Sequence, residues 1–320
     1  MKGNILILLL LVSGFCFGQV PNTNTFDLDT VVSVVNPTTS DLQDCINDAI
    51  ESYYDPAYYT SPATSLLEFR NYGIGFTLTL VDSISISETS LPNYVSFDTN
   101  ETKMYISDIF GNTYQYSLST AGSVSTATYD SKLHNASEPQ FYTSQKRISS
   151  NGNYIYGTVE STTNRFVQWN LTTSWDISTA STTADYSYNL SDIGFADPVF
   201  IPDGGERFIY LNAETDSIFE YNISTANNIS SISGIVDSAL VSDAYTFTFN
   251  FSGDRLYISK SEIVYLYETT NHSITGLNFI DSSDPNIRGN LISMWVSNDD
   301  SKLYIADNIE DKIYEYDITY

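Results

Sequence analysis

Histidines, carboxylates and aromatic rings are the side chains here that could do chemistry. The chain has two histidines, His134 and His272, both in polar connections. A histidine-activated nucleophile or a zinc site needs convergent partners. His134 has Asn135 and Glu138 close by in sequence, and His272 has Glu268 and Asn271. Both are expected as surface loop histidines. Acids are abundant, 39 Asp and Glu against 13 Lys and Arg. A glycoside hydrolase needs two carboxylates about 5–10 Å apart. The prominent acids Asp98, Asp203, Asp254, Asp299 and Asp300 fall at recurring turns, beside Asn151-Gly152 and Asp203-Gly204. Such dipeptides form hairpin turns. A residue repeated for turn geometry is poor evidence of one active site, so no catalytic residue is assigned.

A repeated metal site can be tested by position. The equivalent series Asp108, Thr158, Asn212, Lys260 and Asp307 contains a lysine, which excludes one common calcium ligand set. A single calcium ion near Asp307 and Asp311 stays open; no other cofactor is expected. There is no glycine-rich phosphate loop and no dinucleotide fingerprint. A column of aromatics, Tyr116, Trp169, Tyr221, Tyr267 and Tyr316, has two readings. The rings could stack on sugars. They also alternate with apolar residues two positions away, such as Tyr114 and Leu118, which marks one buried strand face.

These residues belong to a phrase written five times: an apolar triplet, a polar turn, then an aromatic with an apolar residue two positions on. The triplets start at Met104, Tyr154, Phe208, Leu256 and Leu303, at intervals of 50, 54, 48 and 47. A period near fifty with several short strands per unit predicts a propeller or an array. Each unit parses into four strands. In the first these are Tyr94 to Phe97, Lys103 to Ile106, Thr113 to Leu118 and Ser125 to Tyr129, and the order recurs around Ile148, Val199, Phe249 and Met294.

The fifth unit stops at Tyr320 after its third strand, while Thr77 to Asp82 supplies a spare outer strand at the start. Ring closure between these ends removes two exposed sheet edges. Closure predicts Leu78 and Leu80 alongside Tyr314 and Tyr316. The expected fold is an all-β propeller over 75–320, with five blades, or six if residues 60–90 hide a degenerate repeat.

Lys2, the apolar run Ile5 to Val12 and Cys16-Phe17-Gly18 before Gln19 read as an export signal over 1–18. Anchoring through Cys16 is the alternative. The expected location is extracellular or periplasmic, with no membrane insertion of the mature chain. Residues 19–74 form a small helical module on this reading. Leu28, Val31, Val32 and Val35 have helical spacing up to Pro37. Leu42, Cys45, Ile46, Ala49, Ile50 and Tyr53 make one apolar face closed by Asp55-Pro56. Cys45 is an inert buried thiol or a reactive one. Net charge is −26, which disfavours nucleic acid and anionic lipid as partners.

Tyr114-Gln115-Tyr116-Ser117-Leu118-Ser119-Thr120 with Val124 to Asp130 resembles a repeat of marine flavobacterial and phage surface proteins. The stretch Val167 to Ala180 is closer still, and Phe219 to Thr225 is similar. Pro21 to Phe26, Val34 to Thr39 and Phe69 to Gly73 look like the start of flavobacterial and phage structural proteins. The resemblance implies a secreted or virion-associated recognition protein. No family catalytic residues carry over. The function expected first is non-enzymatic recognition or adhesion on a cell-surface glycan or protein. The alternatives are a phage virion or tail-associated protein that assembles as an oligomer, and a propeller glycosidase or lyase.

Overall fold

The structure is a computed structural model. It describes residues 15–17, 31–33, 76–89, 91–136, 146–159, 165–189, 196–202, 204–212, 215–287 and 293–320. The chain divides into two compact units, Met1–Arg70 and Asn71–Tyr320. In the first, β1 (Phe15–Phe17) pairs antiparallel with β2 (Val31–Ser33). Val31 and Val32 are therefore extended, where apolar spacing predicts a helical turn. Their β-branched side chains favour a strand once a partner is available. The helix expected over residues 42–53 and Cys45 lie outside the described residues.

The second unit is a five-bladed propeller of four-stranded antiparallel sheets. Blade 1 contains β4 (Pro92–Phe97), β5 (Lys103–Asp108), β6 (Asn112–Leu118) and β7 (Ala127–Asn135). Blade 2 contains β8 (Arg147–Ile148), β9 (Tyr154–Val159), β10 (Arg165–Asn170) and β11 (Tyr186–Asn189). Blade 3 contains β12 (Ala196–Phe200), β13 (Arg207–Asn212), β14 (Ser217–Ile223) and β15 (Ile232–Leu240). Blade 4 contains β16 (Ala244–Phe249), β17 (Arg255–Lys260), β18 (Ile263–Glu268) and β19 (Asn278–Ser283). Blade 5 contains β20 (Ser293–Val296), β21 (Lys302–Asp307) and β22 (Lys312–Thr319), completed by β3 (Thr77–Ser85).

The closing register pairs Tyr316 with Leu80, Ile318 with Leu78 and Tyr314 with Ser83, with a bulge at Glu315/Tyr316. Leu80 is where closure predicts it. Leu78 lies opposite Ile318 instead, and the bulge sets Tyr314 against Ser83. The outer strands also start later than expected. Val124–Thr126, Ile177–Thr179 and Ile229–Ser231 are short 3-10 turns, and the strand or bridge begins after each. The Asp176 and Asn228 side chains cap two of these turns by accepting from Ser178 N and Ser230 N.

The core lies between blades rather than within one central mass. Five apolar clusters each join one blade to its neighbour, including blade 5 to blade 1. Tyr116, Trp169, Tyr221 and Tyr316 are buried, each in the wedge shared with the preceding blade, and half-buried Tyr267 packs on the wedge of blades 3 and 4.

Two hydrogen-bond patterns cross the same wedges. Gln115 Oε1 accepts from Ile177 N (3.2 Å), Gln168 Oε1 from Ile229 N (3.2 Å) and Glu315 Oε2 from Val124 N (2.9 Å). The central tyrosine of the second strand reaches into the following blade. Tyr105 donates to Trp175 O (3.0 Å), Tyr156 to Asn227 Oδ1 (3.0 Å), Tyr257 to Asp300 Oδ1 (2.7 Å) and Tyr304 to Gly122 O (2.7 Å).

Within a blade, two left-handed turn residues meet, and one of them is glycine. Trp175 (φ 63°) donates its N–H to Gly152 O (2.8 Å), and a Cβ on Gly152 would lie 2.3 Å from the Trp175 ring. Gly205 with Asn227 and Gly253 with His272 repeat this arrangement. Blade 1 reverses it, with Gly122 donating to the carbonyl of Glu101 (φ 55°).

Trp169→Ala is expected to lower stability by about 3–5 kcal/mol in urea unfolding, because it leaves a ring-sized void. Gly152→Ala combines a left-handed strain of about 1–2 kcal/mol with the Trp175 clash. Gly204→Ala carries the strain alone, since nothing lies within 4 Å of its Cβ. Gly152→Ala should therefore lower Tm clearly more than Gly204→Ala, and equal shifts would contradict the close approach.

Candidate functional site

The inner strands converge on the ring axis, and their C-terminal ends shape a shallow depression with a cavity volume of about 40 Å³. Phe97, Ile148, Phe200, Phe249 and Val296 supply its walls from the strand ends. The turns that follow add Thr99, Ser150, Phe251 and Asn298. Phe251 is 52% exposed although it is a large ring at the rim of this mouth. Arg147, the first residue of β8, reaches the axis. Its guanidinium carbon lies 4.1 Å from the centre of the Phe200 ring and 4.4 Å from that of Trp295. Its charge opposes the rise that burial imposes on the Tyr94 phenol.

The polar rim is fixed before any ligand arrives. Asn298 donates through Nδ2 to Thr99 O (2.6 Å), and its N–H donates to Glu101 Oε1 (2.7 Å). Asn250 Nδ2 donates to Asp254 Oδ1 (2.6 Å) and Ser252 Oγ (2.9 Å), while Arg255 N donates to its Oδ1 (3.0 Å). Preformed walls with a few oriented polar groups are the usual form of a small-ligand site.

The turn acids divide by role. Asp98 accepts from Thr102 N (2.7 Å) and Lys103 N (2.8 Å) in its own hairpin. Hydroxyls of Ser252, and of Ser301 and Ser297, hold the Asp254 and Asp299 carboxyls below the usual range. Asp300 instead joins blades, accepting from Tyr257 and Arg255. Asp203 lies outside the described residues. Among the described residues that line the mouth, none is a carboxylate.

Both histidines are buried, which corrects their expected place in surface loops. His272 packs against Phe200 and Phe249, with ring centres 5.3 and 5.5 Å apart. His134 lies on β7, where Nε2 donates to Ser181 O (2.9 Å) and Nδ1 faces Lys146 Nζ at 3.5 Å. Lys146 is 1% exposed; it donates to Gly111 O and sits 4.9 Å above the Trp169 ring. Local sequence missed both residues because their partners come from other strands and another blade.

At the calcium position, the two end blades differ. Asp108 is fully engaged: Oδ1 accepts from Phe110 N and Asn112 N (both 2.9 Å), and Oδ2 from Asn112 Nδ2 (2.9 Å) and Tyr114 OH (3.2 Å). In blade 5, Lys312 and Tyr314 turn to Glu310 instead (both 2.7 Å). Asp307 Oδ2 and Asp311 Oδ1 are left buried without a hydrogen-bond partner. Among the described residues no three metal-ligating side chains cluster. No helix among them is long and apolar enough to cross a membrane.

No family model matches the chain, and no curated protein matches it. Solved structures do. One is a protein of Desulfotomaculum acetoxidans of unknown function: 10% identity, TM-score 0.44, covering 71% of this chain and 66% of that one. Another is the β-propeller domain of Myceliophteria thermophila Cps50 (Swd1): 8% identity, TM-score 0.46, covering 76% and 100%. A third is the Pseudomonas aeruginosa periplasmic gluconolactonase PpgL: 12% identity, TM-score 0.43, covering 67% and 64%. The chain thus spans about two thirds of the length of the first and third. None of these likenesses bears on function.

Burial pushes the His134 pKa down from 6.5 to about 3, with the Lys146 charge adding to the effect. The unfolded chain therefore binds the extra proton between those values, and stability falls as pH drops from about 6.5 towards 3. Burial lowers Lys146 from 10.5 to about 7, so its contribution makes stability rise with pH above about 7. Thermal melts from pH 4 to 9 should show both slopes. His134→Gln should flatten the acid limb, and Lys146→Met the alkaline one.

Proposed function

We infer that the chain is an exported, non-enzymatic recognition propeller that binds a glycan at the mouth formed by the C-terminal ends of its inner strands. The observation that carries this reading is the mouth itself. Phe251 is the exposed ring at its rim, Thr99, Ser150 and Asn298 lie beside it, and Phe97, Phe249 and Trp295 are buried in its lining. Aromatic faces pack on the C–H faces of pyranose rings, and hydroxyls and amides exchange hydrogen bonds with sugar hydroxyls. A rigid ring that carries variable turns suits recognition, because the scaffold bears the cost of ordering the site.

The aromatic column of the third strands takes no part in binding on this reading, since four of its five rings are buried in the wedges. A glycosidase at this mouth would need a carboxylate pair, and the described lining offers an arginine instead. Export rests on Lys2, the apolar run after it and the Cys16-Phe17-Gly18 junction.

A glycan array probed with the purified chain should give hits without release of reducing sugar. Phe251→Ala should weaken those hits roughly tenfold, the worth of one stacked ring, while Tm stays within a degree or two. An array with no hit for a folded chain, or hits that Phe251→Ala leaves intact, would count against this mouth.

A further inference from the structure

Among the described residues that line the mouth, Arg147 is the one permanent cation, in a chain whose net charge is −26. We propose that Arg147 is the anchor of this site and that it takes a single anionic group, a carboxylate or a sulfate, on the terminal residue of the bound glycan. The proposal rests on the recognition reading above and names the ligand class.

The argument starts from what surrounds the guanidinium. Ring faces of Phe200 and Trp295 pack on it at 4.1 and 4.4 Å, and these rings come from blades 3 and 5 while Arg147 comes from blade 2. Three blades thus fix one side chain at the axis. Aromatic cover spends the faces of a guanidinium and leaves its N–H edge for hydrogen bonding. Among the described residues no carboxylate pairs with it, although Arg207, Arg255, Lys132 and Lys302 all have acid partners. Among the described residues the polar group it acts on is the Tyr94 phenol, which leaves most of its five donors unused. A pre-stacked planar fork is the geometry that receives an oxyanion in two parallel hydrogen bonds.

The same charges limit the ligand to one anionic group. Asp254 and Asp299, in the turns around the mouth, are ionised, and the whole surface is acidic. A polyanion would meet that field along its length. A glycan with one acidic terminal residue brings its charge to the axis alone, where Arg147 is nearest. This arrangement gives an uncommon salt response. Raising salt from about 10 mM to about 150 mM shortens the screening length from about 30 Å to about 8 Å. That removes the long-range repulsion and leaves the stacked contact largely intact, so binding tightens.

The test is titration of the full chain by tryptophan fluorescence, since Trp295 covers the guanidinium. The probes are a glucuronate-terminated disaccharide, its uncharged methyl ester and a disaccharide with one terminal sulfate. The acid or the sulfate should bind at least tenfold more tightly than the ester, and binding should strengthen two- to threefold over that salt range. Arg147→Gln should abolish the preference for the charged probe, while Arg147→Lys should retain part of it. Preference for the acid alone names a carboxylate, and for the sulfate alone a sulfate ester; either supports the proposal. Equal binding of acid and ester to the unaltered chain overturns the proposal and leaves the recognition reading standing. No binding of any probe, nor of any array glycan, to a folded chain overturns both. The comparison of acid with ester needs no variant, so it holds even if Arg147→Gln fails to fold.

Discussion

Pairing of β22 with β3 is the constraint on which the rest depends. Without it blade 5 has three strands, and its edge carries unpaired N–H and C=O groups along Lys312–Thr319. The wedges on both sides of blade 5 depend on it too. Phe76, just before β3, packs on Tyr257 of blade 4 and on Tyr320, with ring centres 6.0 and 6.2 Å apart. Its N–H donates to Asp281 Oδ2 (2.8 Å), and Leu78 N donates to Ser283 Oγ (3.0 Å). One strand therefore completes a sheet and ties it to the neighbouring blade. Its pairing joins residues more than 220 positions apart, so loop-closure entropy opposes it until the intervening blades have formed.

Once the ring is closed, no blade owns its core. Each buried face belongs to a wedge between neighbours, and the polar bonds follow the same rule. The Tyr105, Tyr156, Tyr257 and Tyr304 hydroxyls find acceptors in the following blade. Burial raises the pKa of all four phenols, which therefore stay protonated donors across the physiological range. Paired left-handed turns bring the two loops of a blade close enough to receive them. The two sides of that approach need only one glycine between them. This is why Gly122 with Glu101 and Gly152 with Trp175 are interchangeable solutions.

The repeat made much of the architecture readable. Triplets at near-fifty intervals located the second strands, and an incomplete last unit with a spare first strand located the closure. What local pattern could not supply was anything set by a non-repeating partner. Of the turns at Val124, Ile177 and Ile229, the first reads as strand from Ser125 on, because Ser125 and Thr126 are small or β-branched. The conformation of all three turns is fixed by Gln115, Gln168 and Glu315 from another blade. His134 and His272 read as solvated because their sequence neighbours are polar, while His134 packs on Trp169 of the next blade and His272 on Phe249 of its own blade and Phe200 of the preceding one. Arg147 carried no signal, since it opens a two-residue strand and the other four units place Ser96, Val199, Thr248 and Trp295 at its position.

That mismatch is itself informative about where binding can occur in such a ring. Positions that repeat five times are committed to wedge packing or to turns, and a change in any one must be accommodated by a neighbouring blade. Freedom to recognise something is left where repeats diverge, and the axial mouth is such a place. Equivalent residues at the ends of the inner strands are Phe97, Ile148, Phe200, Phe249 and Val296, so even the wall is uneven. A wall of three phenylalanines, an isoleucine and a valine cannot bind a five-fold symmetric object equally well on every side. It suits one asymmetric group held against one fixed charge, and the acidic rim discourages competing anions that approach without a matching shape.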